Sequence, residues 1–322
     1  MTRAMATLLL DREATAKLLD MPRVLAAVEE AFLLWAQGRA AMPPKAYLVV
    51  EHGDFRAMPA AIPGAAGLKW VSVHTGNRDK GLPTVMAVFV YSDPETGYPL
   101  AVMDGTGITA YRTGAAAAIA SKYLARKDAT TLGLIGAGRQ AVTQVLAHAE
   151  VFTFEKIRVH DRSAAAIETL AASLPRFSFE ACSLEAAVAS DIVVTLTPSR
   201  FPLVKREWVL PGTHVNAVGA DAAGKQELDP GILRDARVVV DDLRQATAAG
   251  ELNVPLSRGD YRAEDVHATL GAIINGDRPG RSDDSMITVF DSTGVAIEDV
   301  AVARLIYQAA VAEGGYPSID LV

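Results

Sequence analysis

Five features of this sequence could do chemistry: a glycine-rich turn, and the charged residues Arg56, Lys69, Arg112 and Asp221. The turn lies in Leu132-Gly133-Leu134-Ile135-Gly136-Ala137-Gly138-Arg139-Gln140-Ala141, where an apolar run ends in two glycines one residue apart. A stretch without Gly or Pro, Arg139 to Glu150, follows. The spacing predicts a strand, a tight turn and a helix, and it matches G-x-G-x-x-A, the dinucleotide fingerprint with Ala in third place. Gly136 would permit the turn, Gly138 would let a pyrophosphate approach the backbone, and Ala141 would let the helix lie close to the strand. The helix N-terminus offers N–H groups and the positive end of a dipole to phosphate. Such turns also arise for packing reasons alone, so the next strand matters. Lys156-Ile157-Arg158-Val159-His160-Asp161 ends in an acid 23 residues beyond Gly138. That is the expected place for a carboxylate that takes the ribose hydroxyls. Asp161 would repel a 2′-phosphate, which favours NAD. Arg162 and Ser163 are residue types that can hold that phosphate, so NADP stays open.

The cations lie earlier. Arg56 sits in a strand-like context, Asp54-Phe55-Arg56-Ala57-Met58-Pro59, and Lys69 has apolar neighbours on both sides in Gly67-Leu68-Lys69-Trp70-Val71. Lysine is rarely buried without a partner, so the plain reading puts each on an exposed face. Arg112 follows a small-residue loop, Asp104 to Thr109, and would also reach the surface. The other reading is that the three converge on a carboxylate, with arginine giving paired contacts and lysine a movable point charge. Spacing does not decide between them. Asp221 closes Ala217-Val218-Gly219-Ala220-Asp221 beyond a strand end, where open parallel sheets bind ligands. It is an acid–base candidate, or else the cap of the turn into Ala222-Ala223-Gly224.

The elements that position these residues can be read in order. Thr7 to Leu10 is a short strand, Asp11 caps a helix over Arg12 to Leu19, and Pro22 opens a second one. In that helix Val24, Leu25, Val28, Phe32 and Trp35 recur at three- and four-residue steps, and Gly38 ends it. Strand-like runs follow at Ala46–Val50, Phe55–Met58, Gly67–Val73, Thr84–Tyr91 and Leu100–Met103. No helices intervene, so an antiparallel or mixed sheet is expected. Gly114 to Ala120 is an alanine-rich helix. Beyond it strands and helices alternate, with strands at Leu132–Ile135, Ile157–His160, Asp191–Leu196, Thr213–Val218, Val238–Val240 and Ile287–Phe290. That rhythm predicts an α/β fold: a Rossmann-type parallel sheet, with helices on both faces, over residues 121–295. A periodic helix from Val295 to about Ala312 would return to the first domain, making that domain discontinuous, residues 1–120 plus 296–322.

Composition narrows the classes. The chain has 322 residues and a net charge of −7 without a basic block, so nucleic acid is not an expected partner. No charge-free apolar run approaches about 18 residues, so no membrane span is expected. The apolar part of Met1–Leu10 is too brief for a secretory signal. The one cysteine, Cys182, excludes an internal disulfide and suits a cytoplasmic protein. Six scattered histidines and one cysteine make no metal-binding pattern.

Several segments together resemble the ornithine cyclodeaminase/mu-crystallin family. They are Met42-Pro43-Pro44-Lys45, Phe55-Arg56-Ala57-Met58-Pro59, Gly67-Leu68-Lys69-Trp70-Val71, Gly81-Leu82-Pro83-Thr84-Val85, Arg112-Thr113-Gly114-Ala115-Ala116, Gly136-Ala137-Gly138-Arg139-Gln140, Gly219-Ala220-Asp221, Gly224-Lys225-Gln226-Glu227-Leu228 and Phe290-Asp291-Ser292-Thr293-Gly294. They run in order over nearly the whole chain.

The resemblance implies a Rossmann domain plus a discontinuous α+β dimerisation and substrate domain, and hence a homodimer. It implies NAD(H) or NADP(H) and amino-acid or imine substrates. Lys69 and Arg112 match the family's substrate-carboxylate residues, and Asp221 its acid–base aspartate. The cofactor contacts would come from Gly136, Ala137, Gly138, Arg139, Gln140, Asp161, Arg162, Thr197, Pro198, Val218, Gly219, Ser292, Thr293 and Gly294. Arg56 separates the branches. Cyclodeaminases carry Glu there, which suits ornithine's distal amine, whereas the alanine dehydrogenase-like branch carries Arg. The expected reaction is NAD-dependent interconversion of L-alanine with pyruvate and ammonia, with Lys69 also polarising the carbonyl. Reduction of cyclic imino acids is the alternative. An ornithine cyclodeaminase and a non-catalytic nucleotide-binding protein are further ones.

Overall fold

The computed structural model describes residues 6–321, except the side chain of Arg78. The reading of Met1–Leu10 as no signal rests partly on residues 1–5, which lie outside the described residues. By internal contacts the chain divides into two units, Met1–Arg112 with Val295–Val322, and Thr113–Gly294.

The first unit is built on a mixed sheet. Its strands are β1 (Thr7–Leu10), β2 (Ala46–Val50), β3 (Gly53–Ile62), β4 (Ala65–Val73), β5 (Val85–Ser92) and β6 (Pro99–Asp104), in the order β1-β6-β5-β4-β3-β2, and a short strand Ser318–Ile319 pairs with β1. The run β2 to β6 is antiparallel, and β1 joins β6 in parallel. Alternation decides which side chains face inward. On β3 and β4 the inward set is Arg56, Met58, Ala60, Ile62, Lys69 and Val71, and Met58 stands opposite Lys69 in the register. The inner face is covered by the helix Ala296–Glu313, and the helix Met21–Ala36 packs on that helix. Asp20 caps the helix Met21–Ala36 through Arg23 N–H, and Pro22 sits in its first turn. Its Val24, Val28 and Phe32 are fully buried, as the three- and four-residue spacing predicts. Burying a side chain such as Phe32 or Phe89 stabilises the fold by roughly 1.5–3 kcal/mol.

The second unit holds the parallel sheet. Its strands are β7 (Thr131–Ile135), β8 (Lys156–His160), β9 (Phe179–Ala181), β10 (Ile192–Thr195), β11 (His214–Ala217), β12 (Arg237–Val240), β13 (Ala268–Thr269) and β14 (Thr288–Asp291). Their order is β13-β12-β14-β11-β10-β7-β8-β9, and every pair is parallel. The chain starts at β7, runs outward one way through β8 and β9, then returns to β10. The topological switch point therefore lies between β7 and β10, where this fold class binds dinucleotides. The short outer strands β9 and β13 had no periodic signal in the sequence.

Two expectations change. Asp104–Thr109 is not a loop: the helix Gly105–Leu124 begins at once, because the Asp104 carboxylate accepts from Thr106 and Gly107 N–H. Gly105 also lies too close to β5 for any side chain, since a Cβ there would stand 2.9 Å from the Ala87 Cβ. The contact boundary falls within this helix, at Arg112 and Thr113, rather than near residue 120. A continuous helix gives no composition break to mark the change.

Candidate active site

Three of the residues singled out for chemistry share the inner side of the mixed-sheet unit. Arg56, Lys69 and Arg112 are 5%, 1% and 6% exposed, so the reading of them as surface cations fails. Each has an acidic partner. The Arg56 Nε donates to Asp54 Oδ1 at 2.6 Å, and its guanidinium lies 5.3 Å from the Tyr47 ring centroid. The Lys69 ammonium donates to both oxygens of Asp299, at 2.8 and 2.7 Å. Arg112 donates from Nε to Asp299 Oδ1 at 3.1 Å and from Nη1 to Glu298 Oε2 at 2.9 Å. Burial and the Arg112 charge lower the Lys69 pKa from 10.5 to about 7, against the pull of Asp299, and Lys45 ahead of β2 adds to the lowering.

Asp221 belongs to the parallel-sheet unit, in the loop after β11. It is ion-paired with Lys225, and its side chain keeps 33% exposure. The loop is tied down by the Gly224 N–H on Asn253 Oδ1, 2.8 Å, and by Asn253 Nδ2 on the Lys225 carbonyl, 3.1 Å.

The fingerprint folds as its spacing requires. Gly136 has φ +109°, a conformation open to glycine, and its N–H donates to the His160 carbonyl at 2.8 Å. Gly138 is the N-cap of the helix Arg139–Ala149, with no side chain capping it, and a Cβ there would meet nothing within 4 Å. Ala141 is fully buried. Asp161 stands at the end of β8 and accepts from Ala137 N–H and Ser163 N–H, each at 2.8 Å. Arg162 is exposed beside it. Thr197 and Pro198 follow β10, Val218 and Gly219 follow β11, and Ser292, Thr293 and Gly294 follow β14.

Sequence reasoning missed the residues that hold these loops. Glu227 is fully buried and collects four donors. Thr197 N–H and hydroxyl reach one oxygen at 2.8 and 2.6 Å, and the Thr195 hydroxyl and Gly219 N–H reach the other at 2.6 and 2.9 Å. A Cβ on Gly219 would come within 2.2 Å of the Thr197 carbonyl, so only glycine fits. Asp241 accepts from Thr293 N–H at 2.6 Å and from Gly294 N–H at 2.7 Å. Glu298 and Asp299 were also missed. Their signal is visible only afterwards: two adjacent acids inside 291–303, a run in which every residue is buried.

The model of the ornithine cyclodeaminase/mu-crystallin family matches residues 5–314. The chain belongs to that family. It is similar to the alanine dehydrogenase of Archaeoglobus fulgidus, 53% identical over 96% of this chain and 97% of the relative. Among solved structures it is similar to an archaeal alanine dehydrogenase dimer with bound NAD, at TM-score 0.97 and 51% identity, covering 99% of this chain and 100% of that one. It is also similar to the Thermococcus litoralis Δ1-pyrroline-2-carboxylate reductase in complex with NADH and L-proline, at TM-score 0.94 and 38% identity, covering 97% and 100%.

For this family member the residues at the switch point fit a dinucleotide. The uncapped helix start suits a pyrophosphate. The pinned Asp161 carboxylate suits ribose hydroxyls. The Ser292 hydroxyl beyond β14 is buried and has no hydrogen-bond partner among the described residues, so a polar ligand would satisfy it. No group of His, Cys, Asp and Glu among the described residues is arranged to hold a metal ion. No described helix is long and apolar enough to cross a membrane.

Proposed function

We propose that this chain is an NAD(H)-dependent alanine dehydrogenase, converting L-alanine to pyruvate and ammonia and running the reverse reductive amination. One observation carries the reading: buried cations stand on the inner face of the mixed sheet, with Arg56 in the place where an acid would bind a second amine. The 53% identity to an alanine dehydrogenase supports it. Asp161, engaged by two backbone N–H groups, favours NAD over its phosphorylated form.

Lys69 and Arg112 take the substrate carboxylate, with Arg56 beside them. Arg56 disfavours a substrate with a distal ammonium and suits a small acid. A bound nicotinamide would supply the hydride chemistry at Cα. Lys69 donates to the carbonyl oxygen as it forms. Asp221 takes and returns the protons of the attacking water and the departing ammonia. Its partial exposure suits a group that must change protonation.

The outer face of the same sheet supports a homodimer. Leu48, Leu68, Trp70, Met86 and Val88 are all exposed on β2, β4 and β5, and Phe55 stacks on Trp70 with ring centroids 5.3 Å apart. Such an apolar surface suits a second copy, and light scattering should find a particle of twice the chain's mass.

A second reading, reduction of cyclic imino acids, has its own support in the likeness to the pyrroline-2-carboxylate reductase. A cyclic imino acid also carries one carboxylate, so the same cations would serve it. The deciding experiment follows NADH oxidation with pyruvate plus ammonium beside pyrroline-2-carboxylate, with NADPH as control. Fast turnover only with pyruvate and ammonium together is expected. Fast turnover on the cyclic imine with little on pyruvate would replace the substrate and keep the site residues.

A further inference from the structure

Two of the three buried cations of the mixed-sheet unit, Lys69 and Arg112, are organised by the first turn of the helix Ala296–Glu313. Glu298 and Asp299 have no exposed surface. Asp299 grips the Lys69 ammonium with both oxygens and the Arg112 Nε with one. Glu298 grips the Arg112 Nη1, and its other oxygen accepts from the Val295 N–H at 3.4 Å, which ties the pair to the helix start. An ammonium has three N–H donors and a guanidinium five. Asp299 engages two of the ammonium donors, and the acids engage the Nε and Nη1 of the guanidinium. The third ammonium N–H and the Nη2 edge are the donors an incoming carboxylate would meet.

We propose that Glu298 and Asp299 are positioning residues of the carboxylate-binding site: they keep Lys69 charged and hold Lys69 and Arg112 aimed, and so set affinity for the substrate acid. This rests on the reading of Lys69 and Arg112 as the residues that take the substrate carboxylate. The physical reason is the cost of burial. Two adjacent buried cations repel each other and lose their hydration, and an unpaired lysine in such a place gives up its proton. The charged groups on the elements around Lys69 are Lys45 ahead of β2, Arg56 and Asp54 on β3, Arg112 on its helix, and Glu298 and Asp299; of these Arg112, Asp299 and Lys45 act on it. Two of those three are cations, so the ammonium survives through Asp299. A neutral Lys69 amine neither holds a carboxylate nor gives a charge-assisted hydrogen bond to a carbonyl. The labour is divided, because Asp299 bonds both cations whereas Glu298 bonds Arg112 and the Val295 N–H.

That division makes the test. With saturating NADH, kcat/KM for the substrate acid is followed across pH in the intact enzyme and two variants. The acid is whichever of pyruvate with ammonium or pyrroline-2-carboxylate the parent enzyme reduces. A wrong substrate reading then shows in the parent, and a wrong positioning reading only in the variants. If the parent reduces neither, pyruvate binding to the NADH-loaded protein, read by NADH fluorescence, replaces KM. In the parent the alkaline fall is expected near pH 7, the pKa of Lys69. Asp299→Asn should move that fall to lower pH and raise KM for the acid by about tenfold or more, as loss of a charge-assisted hydrogen bond implies. NADH affinity should stay as in the parent. Glu298→Gln should raise KM while leaving the fall in place. An Asp299→Asn variant with the parent's pH profile and KM overturns the proposal. If that variant does not fold, Glu298→Gln decides alone: a raised KM at unchanged NADH affinity supports the proposal, and an unchanged KM overturns it.

Discussion

Buried charge is neutralised in opposite ways in the two units. In the mixed-sheet unit Lys69 and Arg112 are balanced by full counter-charges, Asp299 and Glu298. In the parallel-sheet unit Glu227 is balanced by dipoles, two backbone N–H groups and two threonine hydroxyls. The difference teaches what each arrangement is for. Ion pairing leaves cations with spare, directed donors, which suits binding an anion. Dipoles ending on a carboxylate lock the backbone that supplies them, here the loops after β10 and β11. Asp221 is a third case, a half-buried acid with a lysine beside it and access to water. Such a group can change protonation in contact with water.

Three substitutions sharpen that contrast. The largest effect is expected from Asp221→Asn, which keeps the shape and removes the proton carrier. Turnover should fall by roughly 10²–10⁴-fold with NADH binding retained. A near-normal rate, measured beside an NADH titration, would take Asp221 out of the chemistry. Next comes Glu227→Gln. Each oxygen of Glu227 receives one hydroxyl and one backbone N–H, so either orientation of the amide sets an NH₂ against a backbone N–H. A hydroxyl can rotate to accept but an N–H cannot, so one donor is orphaned at about 1–3 kcal/mol. Denaturant unfolding and NADH titration should both show a loss, without any move of the pH profile for the substrate acid. Unchanged values in both would mean that the four bonds anchor nothing.

The smallest effect concerns acid stability. His148 and His214 sit in a neutral buried network with Ser121 and Asn216. Burial lowers their pKa values to about 4 and about 3, and the Arg281 charge adds to the lowering at His214. Both are neutral when folded, while the unfolded chain takes up protons below pH 6.5. Their contribution is therefore full above 6.5 and is lost as pH falls toward 4. Each costs up to about 1.4 kcal/mol per pH unit in that window. Glu227 and Glu251, whose pKa values burial raises, act in the opposite sense. The clean measure is a difference: His148→Gln should flatten the fall in unfolding free energy between pH 6.5 and 4. An equal slope in parent and variant would refute the histidine account.

Much of the frame was legible because it is written locally. The β2 run Ala46–Val50, the cap at Asp11, Pro22 in the first turn of the second helix, and the alternation of strands and helices after residue 130 all follow from neighbours within a few residues. The family resemblance rested on the same kind of local pattern, Gly136 to Gln140 above all. The start of the helix Gly105–Leu124 was misread because Gly105 and Gly107 look like loop residues. Their role depends on the Asp104 carboxylate and on β5 passing close by. The edge strands β9 and β13 are too short for any period to emerge.

The sequence by itself determined the parallel-sheet rhythm, the glycine turn, the acid at position 161 and the supply of cations at 56, 69 and 112. These depend on residue type and spacing along the chain. Only the tertiary structure decided that the cations are buried and that Lys69 meets an acid 230 residues away. It also decided that Glu227 and Asp241, rather than the loop residues themselves, hold the loop backbones in place. Counter-charges and buried acceptors are chosen by proximity in space, and proximity across that much chain leaves no mark in local spacing.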